Sequence, residues 1–404
     1  MIKNVSVAKL TPGMYIHDLN CAWMEHPFTL NQFKISSSDQ IKVIADAGLH
    51  EVYIDTEKGS DVADAQTVQE VKAELDAKMV EIATEIPEPE QHRAIAEEMV
   101  KAKRAYSEAN RIITNMMQDI RLGKQVETEQ AAAVVEQMTN SIFRNKDALL
   151  SLTRLRGKDD YTFQHSVSVC TLLVSFARAL GLGRETIQAI GVGALLHDVG
   201  KMKVPDAVLN KPGKLTDDEF KIMKSHVVHS RILLEDTPGM TQIGIDVAAQ
   251  HHERYDGSGY PLGLKGDGIS LYGQMAAIVD VYDAITADRC YHKGMETPLA
   301  LRKLVEWSKF HFNEKLVHGF VRSVGIYPVG TLVKLESELL GIVFEQHEKN
   351  LLTPKIRLIY DSKRKNYITP RDVDLAKPLG KGGADRILGY EDPKNWNIDP
   401  MKYL

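Results

Sequence analysis

The spacing of apolar residues divides the chain into a long helical middle and two ends with the pattern of β-strands. Apolar positions recur with a helical period through most of residues 91–318, which predicts a succession of amphipathic helices. Short runs rich in β-branched residues lie near both ends and predict small sheets there. We therefore expect a mainly α fold. Beyond a first helical stretch at 91–121, the pattern predicts helices at 172–180, 184–197, 217–234, 243–251, 273–287 and 298–310.

The first 60 residues have the pattern of a small β-rich module. An apolar-rich run at 5–10 leads into a turn at 11–14, and short strands are expected at 15–16 and 52–55. Between these two strands, residues 39–48 have the pattern of a capped helix. Ser37 is the best N-cap candidate, because Gln40 follows it by three residues and would complete a capping box.

Breaks in these patterns suggest four regions. A proline- and glutamate-rich stretch at 86–90 interrupts the helical spacing, and Thr128 is the candidate N-cap of the helix after Gly123. Toward the C-terminus, strands are expected at 330–335, 340–344 and 354–360. We divide the chain into an N-terminal β-rich module (1–60), a helical linker region (61–135), a helical domain (136–325) and a C-terminal β-rich extension (326–404).

Composition and charge narrow the class of protein. The 404 residues are 43% hydrophobic, which is typical of a globular chain, and the net charge of −5 argues against a DNA-binding protein. Three widely separated cysteines argue against a disulfide framework or a cysteine zinc site. The start has no signal-peptide core, and no apolar run approaches the roughly 18 residues of a membrane span. We expect a cytoplasmic protein without a membrane partner.

Histidines provide the candidate chemistry. The chain has 14 of them, and those in its middle lie beside carboxylates or other histidines, as in His197-Asp198 and His251-His252. Neutral imidazoles and carboxylates are the ligands that iron, manganese and zinc bind in proteins. A single histidine on an amphipathic helix is more often an ordinary core or surface residue. The combination, rather than any one residue, therefore predicts a metal site.

Two strings of residues resemble a known family. They are His-Asp-Val-Gly-Lys at 197–201 and His-His-Glu-Arg-Tyr-Asp-Gly-Ser-Gly-Tyr-Pro at 251–261. Together they resemble the HD-GYP family, the HD-domain metal-dependent phosphohydrolases that cleave cyclic dinucleotides. The resemblance covers about residues 140–320, and 280–289 continue it. Near the start, 10–15 and 26–28 resemble a module often found before HD-GYP domains in bacteria.

The resemblance implies an HD-GYP helical bundle around a binuclear metal centre. Asp198 would bridge two divalent or mixed-valence transition metals, with iron or manganese expected. Family members with a third metal have a Glu four residues before the first ligand histidine, where this chain has Tyr161. The ligands implied by the resemblance are His165, His197, Asp198, His226, His251, His252 and Asp280.

The resemblance also implies contacts with substrate. Asp198 and Lys201 would be catalytic, and Lys201, Arg289 and Lys293 would bind substrate phosphate. Two metals suit this chemistry, since they lower the pKa of a bound water and neutralise phosphate oxygens. For Lys201 the alternative is a lysine that interacts with a helix C-terminus. For Arg289 it is a surface cation.

The loop at 257–261 has two interpretations. Its two glycines and Pro261 suit a tight turn. The resemblance implies instead that the loop borders the active site and contacts cyclic-dinucleotide synthase domains. Glu253 and Asp256 either orient ligand histidines or are ordinary loop acids.

The favoured function is a metal-dependent phosphodiesterase. It would open cyclic di-GMP, or 3′,3′-cyclic GMP-AMP, to a linear dinucleotide, with further cleavage to mononucleotides left open. The alternatives are a non-catalytic cyclic-dinucleotide sensor, a nucleotide phosphohydrolase of the wider HD superfamily and an interaction scaffold. None of the implied ligands is missing, which argues against the sensor, and the Gly-Tyr-Pro loop argues against the wider superfamily. The sequence leaves the oligomeric state open.

Overall fold

A mainly helical chain with a small antiparallel sheet at each end confirms the fold class predicted from the sequence. The structure is a computed structural model that describes residues 1–22, 28, 30–84, 95–153, 161–211, 213–287, 294–347, 350–378 and 385–404. The helices are α1 Ser38–Asp46, α2 Val68–Thr84, α3 Ile95–Arg121, α4 Thr128–Thr153, α5 Tyr161–Ala179, α6 Arg184–Leu196, α7 Asp206–Leu209, α8 Asp217–Glu235, α9 Gln242–Gln250, α10 Leu271–Thr286, α11 Thr297–Trp307 and α12 Glu314–Val324. The strands are β1 Ile2–Ser6, β2 Tyr15–Asp18, β3 Phe33–Lys34, β4 Glu51–Asp55, β5 Leu332–Leu335, β6 Leu339–Glu345, β7 Lys355–Asp361, β8 Asn366–Asp374 and β9 Ile387–Tyr390.

The N-terminal sheet has the order β1-β4-β2-β3. β1 and β4 are antiparallel, with Ile2 opposite Asp55 at one end of the pair. The run at 5–10 is a strand only at its start, because β1 ends at Ser6 and a short 3₁₀ turn follows. The N–H of Leu10 donates to the carbonyl of Val7, which turns the chain out of the sheet.

At two predicted helix caps, the side-chain hydrogen bonds differ from those that the sequence predicted. Ser37 is the N-cap residue of α1, but its side chain makes no capping hydrogen bond. Gln40 instead accepts hydrogen bonds from the N–H and hydroxyl of Ser36, so the predicted capping box is shifted by one residue. Thr128 is the first residue of α4 and donates its hydroxyl to the carbonyl of Pro238. It ties α4 to the loop after α8 rather than capping its own helix.

The main core lies among the helices from α2 to α12. α10 runs through its centre, and every residue from 273 to 283 is buried. α2 and α3, in the segment expected to be a linker, contribute buried residues to the same core. Gly200 lets two elements approach closely, since a Cβ there would lie 2.0 Å from the carbonyl oxygen of His226. The turn after α6 is thereby held against α8.

The N-terminal module is docked on α11. The hydroxyl of Tyr53 donates to Glu306 over 2.6 Å in a buried contact. Asn20 accepts hydrogen bonds from Lys303 and from the indole of Trp307. A buried, directional interface of this kind fixes the module relative to the helical domain.

The C-terminal sheet has the order β8-β7-β6-β5-β9. Its strands β5, β6 and β7 match the predicted strands, whereas β8 and β9 were not predicted. β8 is largely exposed along its length, so it lacks the alternation of apolar residues that marks a half-buried strand. Across the described part of the chain, none of the helices combines the length and apolar content needed to cross a bilayer.

Candidate metal centre

The helical domain gathers all of the implied metal ligands around one point. His197 and Asp198 follow the end of α6, where a 3₁₀ turn begins. α9 ends immediately before His251 and His252. The remaining three lie within helices: His165 in α5, His226 in α8 and Asp280 in α10.

Asp198 lies at the centre of the cluster. Its Oδ2 is 3.3 Å from Nε2 of His197, and its Oδ1 is 3.3 Å from Nε2 of His226. Nε2 of His251 lies 3.9 Å from Oδ1. Because its two oxygens face different histidines, this carboxylate has the placement that a bridge between two ions requires.

Asp280 is the second carboxylate of the cluster and faces His165, His197 and His252. Its Oδ1 lies 3.0 Å from Nε2 of His165 and 3.8 Å from Nε2 of His197. Its Oδ2 lies 3.7 Å from Nδ1 of His252. Ligand atoms of His165, His197 and Asp280 therefore form one compact set, and those of His226, His251 and His252 form another.

Backbone hydrogen bonds turn three of the rings toward the centre. Nδ1 of His197, His226 and His251 lies 2.7, 2.7 and 2.8 Å from the carbonyl oxygen three residues earlier in the chain. Nδ1–H can donate there, which leaves Nε2 as a free acceptor. Nε2 of all three rings and Oδ1 of Asp198 are buried without a hydrogen-bond partner. Unpaired buried polar atoms are costly, and bound cations would satisfy all four.

The protonation states also suit metal binding. Burial lowers the pKa of His226 to about 4 and of His251 to about 3. For Asp198, burial favours the neutral acid, but Lys201 and His197 outweigh it and hold the pKa well below its ordinary value. The neutral imidazoles of His226 and His251 therefore face the ionised carboxylate of Asp198, and these are the protonation states that metal ligands require.

His165 differs because it lies between two carboxylates. Burial opposes its charged form, yet hydrogen bonds to Asp280 and Asp283 raise its pKa to about 9. The proton on Nε2 faces Asp280, where a metal cation would take its place. The residues present thus fit a metal centre.

Sequence reasoning missed Asp283. Its Oδ2 lies 2.7 Å from Nδ1 of His165, and the side chain is fully buried. A carboxylate on the far nitrogen of a ligand histidine fixes the orientation of the ring and increases its basicity. The signal was the spacing Asp280-x-x-Asp283, which places both carboxylates on one face of α10.

Of the three residues predicted to contact substrate phosphate, the structure describes only Lys201. Nζ of Lys201 lies 2.5 Å from Oδ2 of Asp198, and 22% of the side chain is exposed. Lys201 therefore lies at the centre with one side open to solvent. Arg289 and Lys293 lie outside the described residues, as does the side chain of Tyr161.

The two acids near the Gly-Tyr-Pro loop hold structure in place. Glu253 accepts hydrogen bonds from the backbone N–H groups of Leu262 and Leu264, which ties the loop together. Asp256 lies 2.6 Å from Nε2 of His50 in the N-terminal module. Within the described residues, neither carboxylate hydrogen-bonds a ligand histidine, so the structure favours the interpretation as loop acids.

A helical bundle with a His-Asp pair at the centre of such a cluster defines the HD-domain class of metal-dependent phosphohydrolases. An HD domain model matches residues 136–316, and a domain of unknown function, DUF3391, matches residues 2–131.

Similar proteins indicate which family within the HD-domain class this chain resembles. The chain is 40% identical over 400 residues to the cyclic di-GMP phosphodiesterase PA4108 of Pseudomonas aeruginosa, covering 98% of this chain and 94% of that one. It is 40% identical over 148 residues to the 3′3′-cGAMP-specific phosphodiesterase 1 of Vibrio cholerae, covering 37% of this chain and 34% of that one. The solved HDG"Y"P protein Bd1817 of Bdellovibrio bacteriovorus is 16% identical, with a TM-score of 0.45, covering 79% of this chain and 98% of that one. The near full-length similarity to PA4108, together with the His-Asp and Gly-Tyr-Pro strings, shows that the chain belongs to the HD-GYP family.

Proposed function

We propose that this chain is a phosphodiesterase that opens a 3′,5′-cyclic dinucleotide, cyclic di-GMP or 3′,3′-cyclic GMP-AMP, to a linear dinucleotide. One observation carries the proposal: buried histidine nitrogens and a central carboxylate oxygen converge without hydrogen-bond partners in an HD-GYP chain. The near full-length similarity to a protein named as a cyclic di-GMP phosphodiesterase supports this choice of substrate class.

The proposed centre holds two ions. His165, His197 and Asp280 supply one set of ligands, His226, His251 and His252 supply the other, and Asp198 lies between them. Iron or manganese suits this mixture of imidazole and carboxylate groups. When bound, two such ions activate a water and neutralise charge on the reacting phosphate.

Lys201 is the proposed catalytic cation. Its ammonium group touches Asp198 and is partly exposed, so it can turn to a non-bridging oxygen of a phosphate held at the centre. A charge-assisted hydrogen bond from a group already in place favours the transition state, where charge on that oxygen increases. Arg289 and Lys293 remain proposed as further phosphate contacts.

The Gly-Tyr-Pro loop is the proposed contact for a cyclic-dinucleotide synthase domain. One side of it is already covered, since a Cβ at Gly48 of the N-terminal module would lie 2.6 Å from Cβ of Ser258. Leu262, at the end of the loop, is 64% exposed. The surface around Leu262 is therefore the side on which we propose that a partner binds.

Product analysis tests the proposed function. Purified protein loaded with Mn²⁺ or Fe²⁺ is incubated with cyclic di-GMP and, separately, with 3′,3′-cyclic GMP-AMP, and the products are separated by chromatography. We expect a linear dinucleotide from at least one of them and no reaction after chelation of the metal. Intact substrate in both reactions, with a metal-loaded and folded protein, would contradict the proposal.

A further inference from the structure

Lys224 of α8 has surroundings unlike those of Lys221, the other lysine on this helix. Its Nζ lies 4.5 Å from the ring centroid of Phe220 and 4.9 Å from that of Tyr260. The side chain is half-buried between these two rings. Aromatic faces attract an ammonium group, so the rings hold the cation in a defined position.

The charge of Lys224 is not balanced by a carboxylate. Lys221, less than one turn earlier on the same helix, lies 3.4 Å from Asp218. No acid among the described residues forms an ion pair with Lys224 in the same way. A half-buried cation without a counter-ion is suited to bind an anion that arrives with a ligand.

The position of this lysine connects it to the metal centre. The ring of Tyr260 stacks on that of His252, with centroids 4.7 Å apart and planes 28° from parallel. His252 is also the most exposed of the proposed ligands, with 19% of its side chain accessible against 8% for Asp280. The centre therefore opens to solvent on the side of His252, and Lys224 lies one aromatic ring beyond that opening.

We propose that Lys224 binds the second phosphate of the cyclic dinucleotide, the one that is not being hydrolysed. The inference rests on the proposed function, because a cyclic dinucleotide carries a second phosphodiester away from the one held at the metals. One phosphate occupies the centre beside Lys201, and its partner across the dinucleotide ring meets the ammonium group held by Phe220 and Tyr260. Lys224 is then a substrate-positioning residue and not a catalytic one.

The test compares two substrates. Cyclic di-GMP has two phosphodiesters, whereas bis(p-nitrophenyl) phosphate has one and reports on the metal centre alone. Lys224→Met keeps the length of the side chain and removes the charge, and Lys221→Met is the matched control. We expect Lys224→Met to raise KM for cyclic di-GMP roughly 10- to 100-fold, as for loss of a hydrogen bond to a charged group. Its kcat/KM for the single phosphodiester, its metal content and the Lys221→Met variant should match the wild type.

The outcomes separate the inference from the proposed function. An unchanged KM for cyclic di-GMP overturns the role of Lys224. Equal losses on both substrates, or loss of metal, also overturn it, since Lys224 then supports the fold near His226. Lys224→Arg keeps the charge and should recover most of the affinity; failure to do so with normal folding counts against the role as well. If the wild type cleaves only the small phosphodiester and neither cyclic dinucleotide, the result contradicts the proposed function. The inference about Lys224, which depends on that function, is then contradicted as well.

Discussion

The described residues contain two clusters of histidine and aspartate, and the two are built differently. The buried cluster surrounds Asp198. The second is a junction between the N-terminal module and the helical domain, and its members are His50, Asp256 and His311. Each cluster contains at least one group of three residues whose ligand-type atoms lie within 4.8 Å of one another, so composition and spacing alone do not separate them.

Hydrogen bonds do separate them. At the junction, one oxygen of Asp256 lies 2.6 Å from Nε2 of His50, and the other accepts the N–H and hydroxyl of Ser258. Nδ1 of His311 lies 3.3 Å from the same carboxylate, and it is the one member atom of the described junction that is buried without a hydrogen-bond partner, against four such atoms in the buried cluster. In the buried cluster the rings donate to the backbone and turn bare nitrogens inward. The first arrangement satisfies its carboxylate with protein donors, and the second leaves acceptors for a cation.

The comparison also separates two roles. The buried cluster has the ligands that we propose for catalysis. The junction connects the N-terminal module to the loop that follows His251 and His252, and the ring of His50 stacks on Phe310 with centroids 4.3 Å apart.

The largest difference between the two clusters is expected when one carboxylate is removed from each. Asp198→Asn should lose tightly bound metal and reduce turnover of cyclic di-GMP to background, because it removes the proposed bridge. Asp256→Asn should keep both metals, since its partners are protein donors. Elemental analysis and a hydrolysis assay on both variants check this. Normal metal content in Asp198→Asn would refute the assignment of the bridge.

The next effect concerns Lys201. Lys201→Ala should lower kcat by on the order of 10²–10³ while metal content is retained, as for loss of one group that stabilises transition-state charge. Measurement of kcat together with metal stoichiometry checks it. A variant that loses its metals shows that Lys201 supports the site, and wild-type kcat shows that its role is structural.

A smaller effect is expected from the buried carboxylate behind His165. Asp283→Asn should weaken metal affinity by roughly 10- to 100-fold, because an outer hydrogen bond to a ligand histidine is lost. Competition with a chelator measures the affinity. Asp246→Asn on α9, where the carboxylate pairs with Gln242 on the surface, is the control. Equal affinity in the two variants would contradict the orienting role.

The smallest effect is expected at the junction. His50→Ala removes a hydrogen bond to a charged group and should lower the free energy of unfolding by about 1–2 kcal/mol. Metal content should stay at the wild-type value. Chemical denaturation with elemental analysis checks both quantities. Loss of one ion per chain in this variant would make the junction a metal site and remove the distinction between the clusters.

Sequence reasoning succeeded where the signal is local. The pairs His197-Asp198 and His251-His252 could be found because adjacent ligands form a short motif. The spacing Asp280-x-x-Asp283 could have pointed to Asp283, but its pairing with His165 could not be predicted, because the two residues are 118 apart and only the packing of α5 against α10 brings them together. The contact of His50 with Asp256 spans 206 residues. The strand β8 was missed because its exposed residues lack an apolar alternation.

The most direct test of the central claim is anomalous diffraction from crystals of manganese-loaded protein, recorded on both sides of the metal absorption edge. We expect two peaks per chain in the buried cluster, with Asp198 between them. One peak should lie beside His165, His197 and Asp280, and the other beside His226, His251 and His252. We expect no anomalous peak at His50. A single peak, a well-occupied third peak near Tyr161 or a peak between His50 and Asp256 would contradict this expectation.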